Sequence, residues 1–259
     1  MKEYLVFRLY GPMASWGDIA VGENRHSFSY PSKSAIIGLI ASALGYKREE
    51  EEKHTMLSLS LGFGVKVWSS GILLRDYHTA QTIPSKGKHV YSTRKDELRN
   101  KIELNTILSS RDYRMDALYD VCIWIKKEFV SIQNLQEALK NPKFTLYLGR
   151  KSCVIASPLF PNVIKENNIF NTFAKFETEL KERFQEMDTS YFFGYNTLNN
   201  SFVEYLWEEE SEELSEHIQT RRDEVLSRKK WQFRERKEFY KSEASNILTK
   251  PKGVTNGSN

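Results

Sequence analysis

A chain of 259 residues, 40% hydrophobic and 28% charged, is long enough for one substantial core and a second, smaller one. The net charge is only +4, from 38 Lys and Arg against 34 Asp and Glu, and the two cysteines, Cys122 and Cys153, exclude a disulfide framework or zinc cluster and favour a reducing cytoplasm. The longest apolar helix candidate, Ala35 to Leu44, is too short for a bilayer, and Met1-Lys2-Glu3 runs straight into a strand, so neither a membrane span nor a signal peptide is expected.

Glu3 to Leu9 alternates as a strand. It leads into Gly11-Pro12-Met13-Ala14-Ser15-Trp16-Gly17, read as a glycine-rich loop carrying one large aromatic. Pro31 to Gly45 is a helix that opens on Ser32-Lys33-Ser34 and stops at a C′ glycine. Such a start offers free backbone N–H groups beside a cation, which suits a phosphate. The loop glycines permit close backbone approach, and Trp16 offers a flat face to a base. The competing reading makes Trp16 a core plug and Ser32 to Ser34 a capped, solvated turn.

Glu49 to Leu59 reads as a second short helix with acids in its first turn. Gly62 to Trp68 and Ile72 to Tyr77 read as strands joined in a hairpin by Ser69-Ser70-Gly71. The polar, basic stretch from about Thr79 to Asp112 is too long for an ordinary connection and is read as a functional arm. Ala117 to Ile125 is a further strand, and Ser131 caps a helix through Leu139 that Asn141-Pro142 ends. Thr145 to Leu148 is read as a last short strand, before Gly149-Arg150-Lys151-Ser152-Cys153. The fold class is therefore α+β: a ferredoxin-like βαββαβ core, of the kind RNA-recognition domains use, over residues 1–160 with the arm inserted at about 79–112. Cys153 is read as a small buried hydrophobe.

Beyond residue 161 we expect a smaller, β-rich extension to 249 and a disordered tail over 250–259. Its elements are a helix from Asn167 to Met187, a strand from Tyr191 to Trp207, a charged helix from Glu208 to Arg222 and a strand from Lys230 to Tyr240. Charge is segregated: seven glutamates and no base between Glu204 and Glu216, nine Lys or Arg against four acids between Arg221 and Lys241, and eight against four between Pro84 and Arg114. Basic runs interleaved with aromatics fit a polyanion with stackable bases better than a membrane, although each run alone also reads as a solvated face.

The first loop and the helix from Pro31 resemble the N-terminal signature of the CasD-type subunit family of the type I-E CRISPR surveillance complex, Cascade. Further matches follow in order: Arg75-Asp76-Tyr77-His78-Thr79, Arg111-Asp112-Tyr113-Arg114-Met115-Asp116-Ala117, Tyr147-Leu148-Gly149-Arg150-Lys151-Ser152-Cys153, and Pro158-Leu159-Phe160. Likeness is dense over 1–160 and thin over 161–225. The resemblance implies a non-catalytic, cytoplasmic subunit, without cofactor or metal, that holds the 5′ handle of the CRISPR RNA in antiviral defence. It implies an arm, the thumb, that reaches the adjacent backbone subunit, a large subunit docking nearby, and target DNA met only through the complex.

On this reading the RNA contacts are Gly11, Pro12, Met13, Ser15, Trp16, Gly17, Arg25, Ser32, Lys33, Ser34, Gly149, Arg150, Lys151 and Ser152. Gly11 and Gly149 should lie near one another. His78, Lys86, Lys88, Arg94, Lys95, Arg99 and Arg111 of the arm serve RNA, a neighbouring subunit or solvation, and Arg75 to His78 could equally be a hinge held by an internal ion pair. Relatives in type I-C complexes cut precursor RNA, so a metal-independent endoribonuclease is the first alternative. It would draw on His26, His78, Tyr10 and Lys33, which form no spaced motif. The second alternative is a protein scaffold with incidental RNA contact that docks through the acidic run.

Overall fold

The computed structural model describes residues 1–18, 20, 22–83, 91–99, 104–184, 202–208, 214–227, 230 and 232–244. The expectations for Lys86 and Lys88, for most of Tyr191 to Trp207 and for the tail lie outside these residues.

The chain opens with β1 (Lys2–Ala14), three two-residue strands β2 (Trp16–Gly17), β3 (Asn24–Arg25) and β4 (Ser27–Phe28), then helices α1 (Lys33–Leu44) and α2 (Glu51–Ser60). It continues through β5 (Leu61–Ser69), β6 (Ile72–Thr82), α3 (Arg94–Arg99), β7 (Asn105–Ile125), α4 (Ile132–Lys140), β8 (Asn162–Glu166) and α5 (Ile169–Phe184). Three strands close it: β9 (Phe202–Trp207), β10 (His217–Ser227) and β11 (Gln232–Ala244). Among the described residues the main sheet runs β10-β11-β9-β5-β7-β1-β8, with β3 and β6 pairing β7 off that path.

The local signals act as the sequence predicts. Ser32 caps α1 by accepting the Ala35 N–H at 3.2 Å, Gly45 ends it at φ 81°, and the Ser131 side chain accepts the Asn134 N–H to start α4. The central strands are buried on both faces. Leu5, Phe7 and Leu9 of β1 pack with Ile36, Ile40, Leu135 and Leu139 of α1 and α4. Tyr4 and Val6 pack with Trp124, Phe173, Phe176 and Trp207 on the side of α5. Each large apolar side chain buried this way contributes about 1.5–3 kcal/mol. On the α5 side a buried polar set survives because it is paired. Arg8 holds Asp120 through two hydrogen bonds of 2.7 and 2.8 Å, and the Trp68 indole N–H donates to the same carboxylate at 2.6 Å.

Several expectations are corrected. Gly11 to Ala14 is not a loop but the end of β1, pairing Gly11 with Ala117 and Met13 with Met115. The ladder skips Pro12, which has no N–H, opposite Asp116, whose φ is 54°. Gly62 to Trp68 and Ile72 to Tyr77 form no hairpin. β5 and β6 instead lie one after the other along the same long partner, β5 on residues 118–125 of β7 and β6 on 105–115. Thr145 to Leu148 makes only an isolated bridge, Tyr147 to Val154, and the strand that closes against β1 is β8. The expected helix from Glu208 to Arg222 is replaced by β10 in its second half. The sheet also continues past residue 160, since β9 pairs β5 and carries β11 and β10 with it.

Candidate nucleic-acid interface

The segment after α4 folds back along the edge of β1. Ser15 N–H donates to Leu148 O at 3.0 Å, Ala156 N–H to Tyr10 O at 3.0 Å and Arg8 N–H to Leu159 O at 2.8 Å. Gly149 sits at φ +87°, and a Cβ there would lie 1.8 Å from Ser15 O; one on Gly11 would lie 2.4 Å from Val154 O. Only glycine permits this approach. Gly11 and Gly149 thus belong to one junction, and the exposed Lys151 and Ser152 project from it. Cys153 is fully buried, and burial pushes its thiol pKa up.

Arg150 lies across that junction. Its guanidinium donates to Asp112 O at 3.3 Å and to Arg25 O at 3.1 Å, and stacks over the Tyr113 ring at 4.6 Å. Asp112 is a collecting point. Its carboxylate accepts Arg75 Nε–H and Nη2–H at 2.8 and 3.1 Å and lies 3.0 Å from His26 Nδ1. Its carbonyl also accepts the Ser15 hydroxyl at 3.0 Å. The Arg75 hydrogen bonds hold the Asp112 carboxyl at a pKa of about 2, against the opposing effect of burial. Arg25 is exposed on β3, beside exposed Arg111 in the parallel pairing of β3 with β7. Four segments distant in sequence therefore deliver Arg25, His26, Arg75, Arg111, Arg150 and Lys151 to one surface.

Two of the predicted contacts point elsewhere. Trp16 is 1% exposed, set edge-on to Tyr119 at 5.7 Å, so it offers no face to a base. Its backbone N–H donates to Ser27 Oγ at 2.9 Å, pinning the loop to β4. Lys33 is fully buried. Its ammonium donates to Glu208 Oε1 at 2.7 Å and lies 3.8 Å from Glu224. The Lys33 N–H donates to Asp223 Oδ2 at 2.8 Å, and Ser32 is spent as the cap and buried. The start of α1 is thus met by the protein's own carboxylates, which take the Lys33 N–H and the Lys33 ammonium away from a phosphate. Ser34 remains half-buried, with its hydroxyl 3.0 Å from that of Ser32. Pro12 and Gly17 are exposed, and Met13 is half-buried.

Burial pushes the Glu208 pKa up, while Asp223 is held low by Arg236 and Arg221 despite its own burial. Arg236 pairs with Asp223 at 2.6 Å and Glu238 at 2.5 Å, and the Arg221 guanidinium is sandwiched between Phe28 and Tyr30 at 4.2 and 4.1 Å. The basic run after Arg221 and the acidic run before it therefore partly neutralise each other inside the fold. Glu208 faces inward, Glu204 accepts the Tyr240 hydroxyl at 2.9 Å, and Glu216 accepts the Ser242 N–H. Docking of a partner through the acidic run is thereby deprived of the buried Glu208.

In the arm, β6 and the first half of β7 form a two-stranded ladder from Ile72–Met115 to Thr82–Asn105. His78 pairs with Asp76 at 2.5 Å, Arg94 with Glu97 at 2.5 Å, and Lys95 is exposed; Arg99 ends α3. Ile72, Leu73, Tyr77 and Ile107 are 68, 47, 64 and 48% exposed, an apolar display unusual for an isolated ribbon. Of the four residues considered for RNA cleavage, Lys33 is buried, Tyr10 donates to Asp116 at 2.8 Å, and His26 and His78 are paired with Asp112 and Asp76. Among the described residues no group of three or more His, Cys, Asp or Glu could hold a metal ion, and no helix is long and apolar enough to cross a membrane. Sequence reasoning weighed Arg75 as part of a hinge or a contact and His26 for RNA cleavage alone, and paired neither with Asp112. The signal was present in Arg75 and Asp112 recurring in the arm motifs, but the pairing depends on the ladder register.

Comparison with known proteins agrees with this architecture. The family model for CRISPR-associated protein (Cas_Cas5) matches residues 4–238. The chain is 33% identical over 171 residues to the CRISPR system Cascade subunit CasD of Escherichia coli (strain K12), covering 62% of this chain and 70% of that protein. Among solved structures, a chain of a CRISPR RNA-guided surveillance complex aligns with a TM-score of 0.60 at 22% identity, over 93% of this chain and 90% of its own. A structure titled "Crystal structure of Cas protein" aligns with a TM-score of 0.55 at 23% identity, over 93% and 94%. At those identities the two structures speak for the fold: mixed α/β, with a large antiparallel sheet and few helices.

Proposed function

Because the chain belongs to the Cas5 family of CRISPR-associated proteins, we propose that it is a non-catalytic subunit of a Cascade-type complex that holds the 5′ handle of the CRISPR RNA. The observation that carries this reading is the cationic surface around Asp112, built from four segments and rigidified by hydrogen bonds. Arginine forks with spare N–H groups suit phosphates and base edges, and Lys151 adds a point charge. Arg25, Arg111, Gly149, Arg150, Lys151 and Ser152 belong to this surface, Gly11, Ser15 and Trp16 hold it from within, and Lys33 is engaged elsewhere.

We read the order β8-β1-β7-β5, with antiparallel neighbours and α1 and α4 packed on one face, as the ferredoxin-like core. The apolar residues exposed along the arm suit contact with an adjacent backbone subunit. A large subunit would dock beside the RNA, and target DNA would be met through the assembled complex in the cytoplasm.

The test is the full chain incubated with labelled repeat RNA in the absence of metal, run on native and denaturing gels. A shifted band with intact RNA is expected. A discrete cut would instead make the protein a processing enzyme, with His26 and His78 the first residues to replace. Arg150→Ala combined with Lys151→Ala should weaken binding and flatten its salt dependence, by roughly 0.7 in slope for each single-strand phosphate that is no longer neutralised. An unchanged slope would count against direct contact.

A further inference from the structure

Asp112 is a buried carboxylate beneath a surface where cations outnumber the acids Asp18, Glu23 and Asp76, and a polyanion would be repelled by it. Its side chain is 5% exposed, while the Arg75 and His26 side chains that it holds are 56% and 50% exposed. A guanidinium has five N–H groups. Asp112 takes two from Arg75, and no hydrogen bond among the described residues uses the other three. His26 turns Nδ1 to the carboxylate, which leaves Nε2 on the far edge of the ring. Around them stand Arg25, Arg111, Arg150 and Lys151; the nearest other acid on β6, Asp76, is engaged by His78. Crowding these cations costs electrostatic energy that a bound anion would recover.

We propose that Arg75 is a further phosphate contact of this surface, joined by His26 in its imidazolium form, in which Nε2 also carries an N–H, and that Asp112 is its positioning residue, acting on RNA through them. The inference rests on the RNA-binding reading above. Without Asp112, Arg75 would be a flexible side chain on the exposed strand β6, and fixing it would cost rotamer entropy at the moment of binding. With Asp112, the fork is already aimed, and one residue locks it to Arg150 and the Ser15 end of β1. A purely structural strut between arm and core would give the same geometry, so the test must separate the two.

The sign of the effect does so. Replacing a carboxylate beside a polyanion by alanine should tighten binding through charge alone, whereas a positioning role makes it weaker. The experiment measures anisotropy of labelled single-stranded repeat RNA with the full chain across a salt series. Asp112→Ala is expected to bind roughly tenfold weaker despite the added positive charge. Asp112→Asn, which retains one acceptor oxygen, should recover most of that affinity. Arg75→Ala should bind roughly tenfold weaker with a slope shallower by roughly 0.7. If Asp112→Ala does not fold, Arg75→Ala and His26→Ala carry the test alone. Equal or tighter binding by a folded Asp112→Ala, or an unchanged slope in Arg75→Ala, overturns the proposal. A wild-type chain that binds no RNA overturns the RNA-binding reading as well. Weaker binding by the Arg150/Lys151 variant with wild-type binding by Arg75→Ala overturns this proposal alone.

Discussion

Gly149→Ala probes how the candidate interface is held. The residue sits at φ +87°, a conformation that costs an L-residue about 1–2 kcal/mol. The new methyl group would also stand 1.8 Å from Ser15 O, a backbone atom that cannot swing aside. The loop must therefore withdraw and lengthen the 3.0 Å bond from Ser15 N–H to Leu148 O. Ser15 is only 2% exposed, so losing this partner adds about 1–3 kcal/mol. The total, about 2–5 kcal/mol, is a large share of the stability of a typical domain. Urea unfolding followed by tryptophan fluorescence measures it. RNA affinity should fall in the same variant, because Arg150 moves with the loop. Gly17→Ala is the matched control, since a Cβ there meets nothing within 4 Å. If Gly149→Ala unfolds at the wild-type urea concentration, the close approach of the two segments is not what holds the loop.

Lys33→Met should destabilise the fold by about 3–5 kcal/mol in urea, because the buried Glu208 would lose its nearest cation, with Arg236 4.0 Å away, and Glu224 would be left with Arg234. RNA affinity of the folded fraction should hold; a selective drop in affinity at wild-type stability would return Lys33 to the interface. Asp112 predicts an acid dependence. Its folded pKa of about 2 lies below the unfolded value of about 3.9, so its stabilisation is complete above that value and is lost as pH falls toward 2. Discounted for the exposure of Arg75, the effect is about 1–2 kcal/mol. Between pH 5 and about 2.5, wild type should lose that much more stability than Asp112→Asn, and parallel curves for the two would refute the linkage.

What the sequence made legible was local chemistry. Ser32, Gly45 and Ser131 mark their helix ends because a cap is decided within four residues. Gly11 and Gly149 could be paired because both are glycines at element ends. Lys33 and Trp16 misled because the same residue types serve a phosphate or a base as well as a buried glutamate or tyrosine. The deciding partners, Glu208 and Tyr119, are 175 and 103 residues away in sequence. The run from Glu208 to Arg222 suggested a helix because charged strands are uncommon. Here Arg221, Asp223, Arg236 and Glu238 are buried and mutually paired across β10 and β11, which hydropathy alone does not reveal. Asp112 was missed for a related reason. Its importance lies in long-range register, and no short motif encodes that.

The turn at Asp116 has a mechanical consequence. β7 runs without interruption from the core into the arm, about 70 Å if fully extended. At the crossing point Asp116 adopts φ 54°, its carboxylate holds the Tyr10 hydroxyl, and Gly71 leaves no room for a side chain against Met115 O. The elbow is clamped from both strands, so the arm is a cantilever with a preset angle rather than a flap on a pivot. A neighbour arriving during assembly would meet a lever whose direction is already chosen, and little of the association energy would be spent in choosing it.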